Sequence, residues 1–480
     1  MEKLYNFING EYTSPIDGDY IENYEPATGE VYSLIPDSNG KDVEVAVAAA
    51  EKAFPVWSSM SAEMRGNILI KIADGIRNHM SEFVEAESKD NGKPVSLATH
   101  VDIPRSISNF DFFGTGIQHF ASESHYMEGM GVNYTLRKPI GIVGCISPWN
   151  LPLYLFSWKI APALATGNCV IAKPSEVTPY TAYLLGKIVK EAGLPDGVLN
   201  ILHGHGVSVG DAIIKHPKIK AISFTGGTST GEYIARTAAP MFKKLSLELG
   251  GKNPNIIFSD CDFDEMIKVS IRSSFANQGQ ICLCGSRIFI ERSIYDKFKT
   301  EFVAKVNKLK VSYPTDPEAR MGALVSKSHM EKVLSYIELA QHEGGTILTG
   351  GKQLKLDSPY QNGYYLEPTV IEGLKYTART NQEEIFGPVV TLTPFDTEEE
   401  VLMMANSVKY GLSATIWTSN LQRAHRVADK VEAGIVWVNE WLVRDLRTPF
   451  GGVKASGVGR EGGWEAIKFF TEPKNIFIKY

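Results

Sequence analysis

Apolar and polar positions along the chain change rhythm twice. Over the first 40 residues, short apolar runs alternate with turn signals such as Asp17-Gly18 and Pro26-Ala-Thr-Gly29, which predicts small strands. Helical patterns follow over 42–57, rich in Ala, Val and Glu, and over 61–89, which carries Ile68, Ile70, Ile72 and Ile76 and stops at Asp90-Asn-Gly-Lys-Pro94. From residue 140 short, nearly all-apolar runs take over at 142–146, 169–172, 198–202, 221–224 and 244–248, with helical stretches between them, notably 178–192 before Gly193. That is the spacing of βαβ units. It predicts an α/β fold with a parallel sheet buried on both faces by helices.

A second α/β block is expected over 249–447. It contains a helix at 264–278, a strand at 287–290, a helix at 295–309 and strands at 389–393, 414–418 and 434–438. Residues 133–137 and 475–480 alternate like edge strands. Such a strand either pairs with a neighbouring subunit or stays within its own domain, and the pattern leaves both readings open. The uncharged run from Pro139 to Trp158 approaches the length of a membrane span, but Pro139, Pro148, Asn150 and Pro152 interrupt it. A buried strand, loop and helix is the better reading, so no membrane association is expected.

The 480 residues leave room for two or three domains, and 43% hydrophobic with 22% charged residues is ordinary for a globular protein. A net charge of −6 argues against a nucleic-acid partner. The five cysteines are an odd, sparse set, which fits reduced thiols and a cytoplasmic location; none has zinc spacing, so no metal is expected. The amino terminus carries no apolar run of signal-peptide length.

Candidate chemistry concentrates at strand ends. Cys282 follows the Gly/Gln-rich turn of Phe275-Ala-Asn-Gln-Gly-Gln-Ile-Cys282, and Glu248 lies upstream in Leu247-Glu-Leu-Gly-Gly251. A cysteine with a distant carboxylate fits a nucleophile and a general base. Gly204-His-Gly206-Val-Ser-Val-Gly210 comes close to a dinucleotide fingerprint, with one extra residue before the third glycine and no acid at the following strand end. Gly226-Gly-Thr-Ser-Thr-Gly231 has the glycines of a phosphate cradle but Glu232 in place of a P-loop lysine. It also spells a nucleophile elbow on Ser229, with His329, His342 and His425 downstream, so a serine hydrolase is the rival reading. Lys173-Pro-Ser-Glu176 can grip ribose hydroxyls or be a solvated turn, and Asn150 can donate to an oxyanion or simply form a turn.

Taken together, Pro148-Trp-Asn150, Lys173-Pro-Ser-Glu176, Phe224-Thr-Gly-Gly-Thr-Ser-Thr-Gly231, Leu247-Glu-Leu-Gly-Gly-Lys252, Gln278-Gly-Gln-Ile-Cys282, Glu383-Glu-Ile-Phe-Gly-Pro388 and Pro449-Phe-Gly-Gly452 resemble the aldehyde dehydrogenase superfamily over essentially the whole chain. The resemblance implies a Rossmann-like NAD-binding domain over 1–119 and 140–248, a catalytic α/β domain over 249–447, and oligomerisation strands over 120–139 and 464–480. It implies a homodimer or homotetramer. It also implies that Cys282 is the nucleophile, Asn150 the oxyanion donor and Glu248 the base that activates water. Lys173 and Glu176 would hold the adenosine ribose, Gly226 and Gly231 the turn beside the cofactor, and Trp149, Glu384 and Phe386 the nicotinamide end. A carboxylate at 176 favours NAD over NADP. Glu248 argues for hydrolysis to a free acid rather than transfer to coenzyme A, and Cys284 is a bystander. Gly227 stands where a serine is common in the family, which weakens any pyrophosphate contact there.

The small-molecule substrate is narrowed by arginines. Arg444 and Arg447 lie in Trp441-Leu-Val-Arg-Asp-Leu-Arg447, and Arg105 on a helix expected at the entrance. Guanidinium groups pair with carboxylates, so an anionic semialdehyde is expected, with Arg105 and Arg444 the better candidates and Arg447 more in keeping with a surface ion pair. This combination resembles the 2-aminomuconate and 2-hydroxymuconate semialdehyde dehydrogenases. A betaine aldehyde, being cationic, fits less well.

Overall fold

The computed structural model describes residues 1–480. Its first sheet runs in the order Gly457–Val458, Lys244–Glu248, Ile219–Thr225, Ile142–Ile146, Cys169–Lys173, Leu199–Ile201, Asn6–Ile8, Glu11–Thr13. The five central strands are parallel. The chain moves outward from Ile142–Ile146 to Cys169–Lys173 and Leu199–Ile201. It then crosses back to lay Ile219–Thr225 against the other side of Ile142–Ile146. That reversal is the topological switch point of a Rossmann-like sheet, where the loops after two neighbouring strands part and leave a crevice. Every residue of Ile142–Ile146 and of Cys169–Lys173 is buried, as their unbroken apolar sequence requires.

A second sheet has the order Thr346–Thr349, Thr369–Glu372, Val389–Phe395, Arg287–Glu291, Pro254–Ile257, Ser413–Trp417, Ile435–Val438, all parallel except the first. Each sheet carries its own apolar core. A third, three-stranded ribbon joins Thr471–Lys479 to Gly131–Pro139 and Ser124–Met127. The carboxy-terminal strand therefore has an in-chain partner. The helix Gly463–Phe469 precedes it, in a stretch expected to be strand from 464 onward, and sends Ala466 and Ile467 into the first core.

Two helices differ from expectation for local reasons. The pattern over 61–89 is two helices, Ala62–Asn78 and Met80–Asn91. They break at His79, whose backbone leaves the helical region at φ −110° and ψ 23° while its Nδ1 lies 2.9 Å from the Gly75 carbonyl oxygen. The helix before the nucleophile stops at Phe275, because Asn277 and Gln278 take left-handed backbone angles (φ 49° and 57°). The uncharged stretch around Pro148 is a strand, a loop and the helix Pro152–Ala165, and no helix is long and apolar enough to cross a membrane.

Candidate active site

The switch-point crevice opens into a cleft of 1020 Å³, whose walls include Lys173, Glu176, Val207, Gly226, Ser229 and Ile234. Its inner end continues through Trp149, Thr225, Gly226 and His329 into a cavity of 240 Å³ lined also by Asn150, Cys282, Glu384 and Phe386. Residues far apart in sequence meet here because the strands of the first sheet end at this edge and the second sheet supplies the opposite wall.

Cys282 sits on a loop whose carbonyls are pinned one after another. Asn253 Nδ2 donates to the carbonyls of Cys282 at 2.7 Å and Cys284 at 2.9 Å, and Trp441 Nε1 donates to that of Leu283 at 2.9 Å. The Cys282 backbone N–H donates to no protein acceptor. Asn150, buried beside it, spends one amide hydrogen on the Gln280 carbonyl at 2.9 Å, which leaves the other unspent. Burial pushes the Cys282 thiol up, and the charges of Glu384 and Glu248 push the same way while Arg444 opposes them. Cys284 is buried in the apolar core of the second sheet.

Glu248 ends the strand Lys244–Glu248, and neither carboxylate oxygen has a hydrogen-bond partner. Burial raises it well above the usual carboxylate range. Glu461 adds to the shift, and Lys159, Arg460 and Arg444 work against it. Glu461 is itself held by Lys159 at 2.8 Å. The backbone of Gly451 comes so close that a Cβ there would lie 2.6 Å from Glu248 Oε1, and its φ of 153° also favours glycine. Gly451 of Pro449-Phe-Gly-Gly452 thus leaves room for the carboxyl group.

At the other end of the cleft Glu176 is paired. Lys173 Nζ lies 2.9 Å from its Oε2. Burial works against the charge of Glu176, but Lys173, through attraction and hydrogen bond, outweighs it and holds the carboxyl below its usual range. The helix Thr228–Ala238 starts at Gly227 without a side-chain cap, so its first amides face the cleft, and Thr225 Oγ1 is buried without a partner. A carboxylate for ribose hydroxyls, open helix amides and an elongated cleft suit a dinucleotide. Gly206 and Gly210 of the near-fingerprint also line the cleft. Ser229 lies in the same cleft with His205 and His329, but no histidine is hydrogen-bonded to it: His329 Nε2 is 2.7 Å from the Phe386 carbonyl oxygen and His205 Nδ1 is 3.9 Å from Glu176.

Two wall residues have places the sequence does not foretell: His329 reads there only as a partner for Ser229, and Lys332 is not singled out. His329 and Lys332 stand one turn apart on the helix Lys327–His342. Burial takes His329 down to about 4, so its neutral ring donates from Nε2 to Phe386. That bond holds Phe386 at a φ of 62°, with its ring edge-on to Trp149 at 5.3 Å. The only hint in the sequence is that 329 and 332 share a helix face. Glu384 accepts from the Gly251 N–H at 2.8 Å.

The three arginines separate. Arg447 is exposed and bound to Asp445 at 2.6 Å. Arg444 instead stacks over Phe450 at 3.8 Å and Trp158 at 5.4 Å. Arg105, in the first turn of the helix Ile103–Gly116, reaches Tyr154 Oη at 3.4 Å and the Arg444 carbonyl oxygen at 3.5 Å.

This fold and this pairing of thiol and carboxyl define a class, and the chain belongs to it: the profile of the aldehyde dehydrogenase family matches residues 12–476. The chain is 52% identical over 480 residues to a 2-aminomuconic semialdehyde dehydrogenase of Danio rerio, covering 99% of this chain and 98% of that one. It is 48% identical over 485 residues to a 2-hydroxymuconic semialdehyde dehydrogenase of Pseudomonas sp. (strain CF600), covering both chains fully at 100%. The NAD+ complex of an aldehyde dehydrogenase from Bacillus cereus superposes with a TM-score of 0.97 at 40% identity, over 100% of this chain and 97% of that one. The protein is an NAD-dependent aldehyde dehydrogenase, and the serine-hydrolase reading falls away.

Proposed function

We propose that this enzyme oxidises a short carboxylated semialdehyde of the muconate class to the free acid, with 2-aminomuconate 6-semialdehyde the first choice of substrate and 2-hydroxymuconate semialdehyde the second. The observation that carries this reading is the pair Arg105 and Arg444. Both guanidinium groups rest on aromatic rings and backbone rather than on a carboxylate, unlike Arg447. A guanidinium with no carboxylate at ion-pair distance is a place for an anion. A betaine aldehyde would be repelled there.

In this reading the Cys282 thiol gives its proton to solvent water in the cleft, and the resulting thiolate attacks the aldehyde carbon. The carbonyl oxygen becomes an oxyanion, which the Cys282 backbone N–H and the second Asn150 amide hydrogen stabilise. Lys173 and Glu176 hold the adenosine ribose of NAD, Gly226 and Gly231 shape the turn beside it, and Trp149, Glu384 and Phe386 hold the nicotinamide end. NAD, when bound, accepts the hydride that leaves the former aldehyde carbon. Cys282 is then a thioester. Glu248, once deprotonated, takes a proton from water, whose oxygen attacks the acyl carbon and frees the carboxylate and the thiol. An NAD-binding domain over 1–119 and 140–248 and a catalytic domain over 249–447 go with this function, and the exposed ribbon of Ser124–Met127, Gly131–Pro139 and Thr471–Lys479, which displays Tyr126, Phe477 and Ile478, serves a homodimer or homotetramer. Five free cysteines fit a cytoplasmic enzyme.

The test is a panel of aldehydes with NAD, run on the native enzyme and on Arg444→Ala. A charge-assisted contact is worth about 1.5–3 kcal/mol. The substitution should therefore raise KM for the carboxylated semialdehyde at least about tenfold more than for a neutral aldehyde. Equal changes for both would remove Arg444 from the substrate site.

A further inference from the structure

Beneath the Pro148-Trp149-Asn150 turn lies an ion cluster that none of the steps above uses. Lys93, Glu87 and Asp102 are each 0% exposed. The Lys93 ammonium is 2.9 Å from Asp102 Oδ2 and 3.6 Å from Glu87 Oε1. Its remaining direction points at the active site, where Nζ donates to the Asn150 carbonyl oxygen at 3.2 Å. The same oxygen accepts from Asn277 Nδ2 at 2.9 Å and lies 3.4 Å from Asn91 Nδ2, which also donates to the Trp149 carbonyl at 3.0 Å. Farther along the turn, the Leu153 N–H donates to Glu87 Oε2 at 3.2 Å. Asn277 Nδ2 also reaches the Gln280 carbonyl at 3.3 Å, the oxygen that takes the Asn150 side chain.

A main-chain carbonyl has two lone pairs, and here three side-chain donors converge on one. Burying an ammonium and two carboxylates costs several kcal/mol per ion, and well-packed apolar side chains of the same volume commonly do as well for stability. Burial accordingly pushes both Glu87 and Asp102 up, against the pull of Lys93. What an apolar cluster lacks is direction. An ammonium locked between two carboxylates fixes the one oxygen it faces, and that oxygen belongs to the residue whose side chain borders Cys282.

We propose that Lys93, held by Glu87 and Asp102, is a positioning residue for the oxyanion side of the reaction: it fixes the Asn150 main chain so that the Asn150 amide meets the aldehyde oxygen above Cys282. The inference rests on the oxyanion role given to Asn150 above. The residues 87–102 thereby act through Asn150 and touch neither substrate nor cofactor.

A double-mutant cycle tests this, read as the single-turnover rate of NADH formation from a saturating aldehyde. Asn150→Ala should lower that rate about 10²-fold or more, the usual cost of an oxyanion donor. Lys93→Met should lower it about tenfold or more in the native background, since a small misplacement near the chemistry is costly. In the Asn150→Ala background the same change should matter less than about twofold, because the group it positions is already gone. NAD affinity, followed by protein fluorescence, should stay within about twofold throughout. Equal fold-losses in both backgrounds, or a loss of NAD affinity, would show a general structural role and overturn the proposal. An Asn150→Ala enzyme with an undiminished rate would instead overturn the oxyanion reading, and Lys93 with it. If Lys93→Met does not fold with two acids left unpaired, the charge-neutral set Lys93→Met, Glu87→Gln, Asp102→Asn carries the same cycle. Asn277→Gly, uncharged and at a backbone angle glycine accepts, should repeat the non-additive pattern; an additive Asn277→Gly would count against it.

Discussion

Glu176 and Glu248 stand at the same edge of the same sheet and are set to opposite states. Glu176 follows Cys169–Lys173 and meets an ammonium at 2.9 Å, which holds its carboxyl below the usual range despite burial. Glu248 ends Lys244–Glu248 with both oxygens unpartnered, and burial followed by Glu461 raises it well above that range. The residue type is identical, and the neighbours decide the role. A carboxylate that is permanently charged can hold hydroxyl groups and repel phosphate, but its proton affinity is too low for a good base. A carboxyl whose proton affinity is raised by burial and a negative neighbour is, once deprotonated, the better base toward water. In the proposed mechanism Glu176 therefore belongs to cofactor binding and Glu248 to proton transfer.

The strongest way to break this contrast is to remove the proton-transfer carboxyl. Glu248→Gln keeps the shape and removes the base. It should still form the thioester, giving one burst of NADH per active site. Steady-state turnover should then fall by about 10²–10⁴-fold, the range general base catalysis supplies. A stopped-flow trace with a full burst followed by a stall would fit. A lost burst with unchanged steady-state behaviour after it would place Glu248 in the first half-reaction instead. The same exchange at the cofactor-binding carboxyl should behave differently. Glu176→Gln should leave the burst and the hydrolysis rate intact and raise the NADP-to-NAD ratio of kcat/KM on the order of tenfold, because the repelling charge is gone. An unchanged ratio would mean that the ribose is read elsewhere.

Much of this was legible in the chain, and what was not shares one cause. The strands Ile142–Ile146 and Lys244–Glu248 match their expected limits residue for residue; the first is buried throughout and writes itself as a continuous apolar run, and the second alternates polar with apolar and buries only Ser246–Glu248. Cys282, Glu248, Asn150, Lys173 and Glu176 were legible as motifs; four of them line one cleft and the cavity behind it, and Glu248 is buried next to Leu249 and Gly250 of the cavity wall. Residues that act through distant backbone were not legible. Asn91 and Lys93 read as a helix stop, yet their partners at Trp149 and Asn150 lie 58 and 57 positions away. Phe386 reads as part of a motif, but its left-handed backbone depends on His329, 57 positions earlier. The break at His79 hides inside an unbroken apolar period. Arg444 and Arg447 look alike in sequence, with Asp445 between them, and only the folded chain shows that Asp445 pairs with Arg447.

A smaller effect sharpens the contrast by moving one carboxyl toward the other. Glu461 is the largest influence on Glu248 after burial, and it acts as a negative neighbour that makes the charged form costly. Replacing it by glutamine removes that cost and leaves the Lys159 ammonium, now without its partner at 2.8 Å, to favour the Glu248 carboxylate. The base form of Glu248 appears as pH rises through its pKa, so a turnover limited by thioester hydrolysis has an ascending acidic limb at that value. Lowering the pKa must carry the limb to lower pH, and Glu461→Gln should move it in that direction. The rate of hydride formation under single turnover should keep its own profile, since Glu248 does not act as base there. A limb that stays in place, or moves to higher pH, would mean that Glu461 does not set the charge of Glu248 and that burial alone sets the two carboxyls apart.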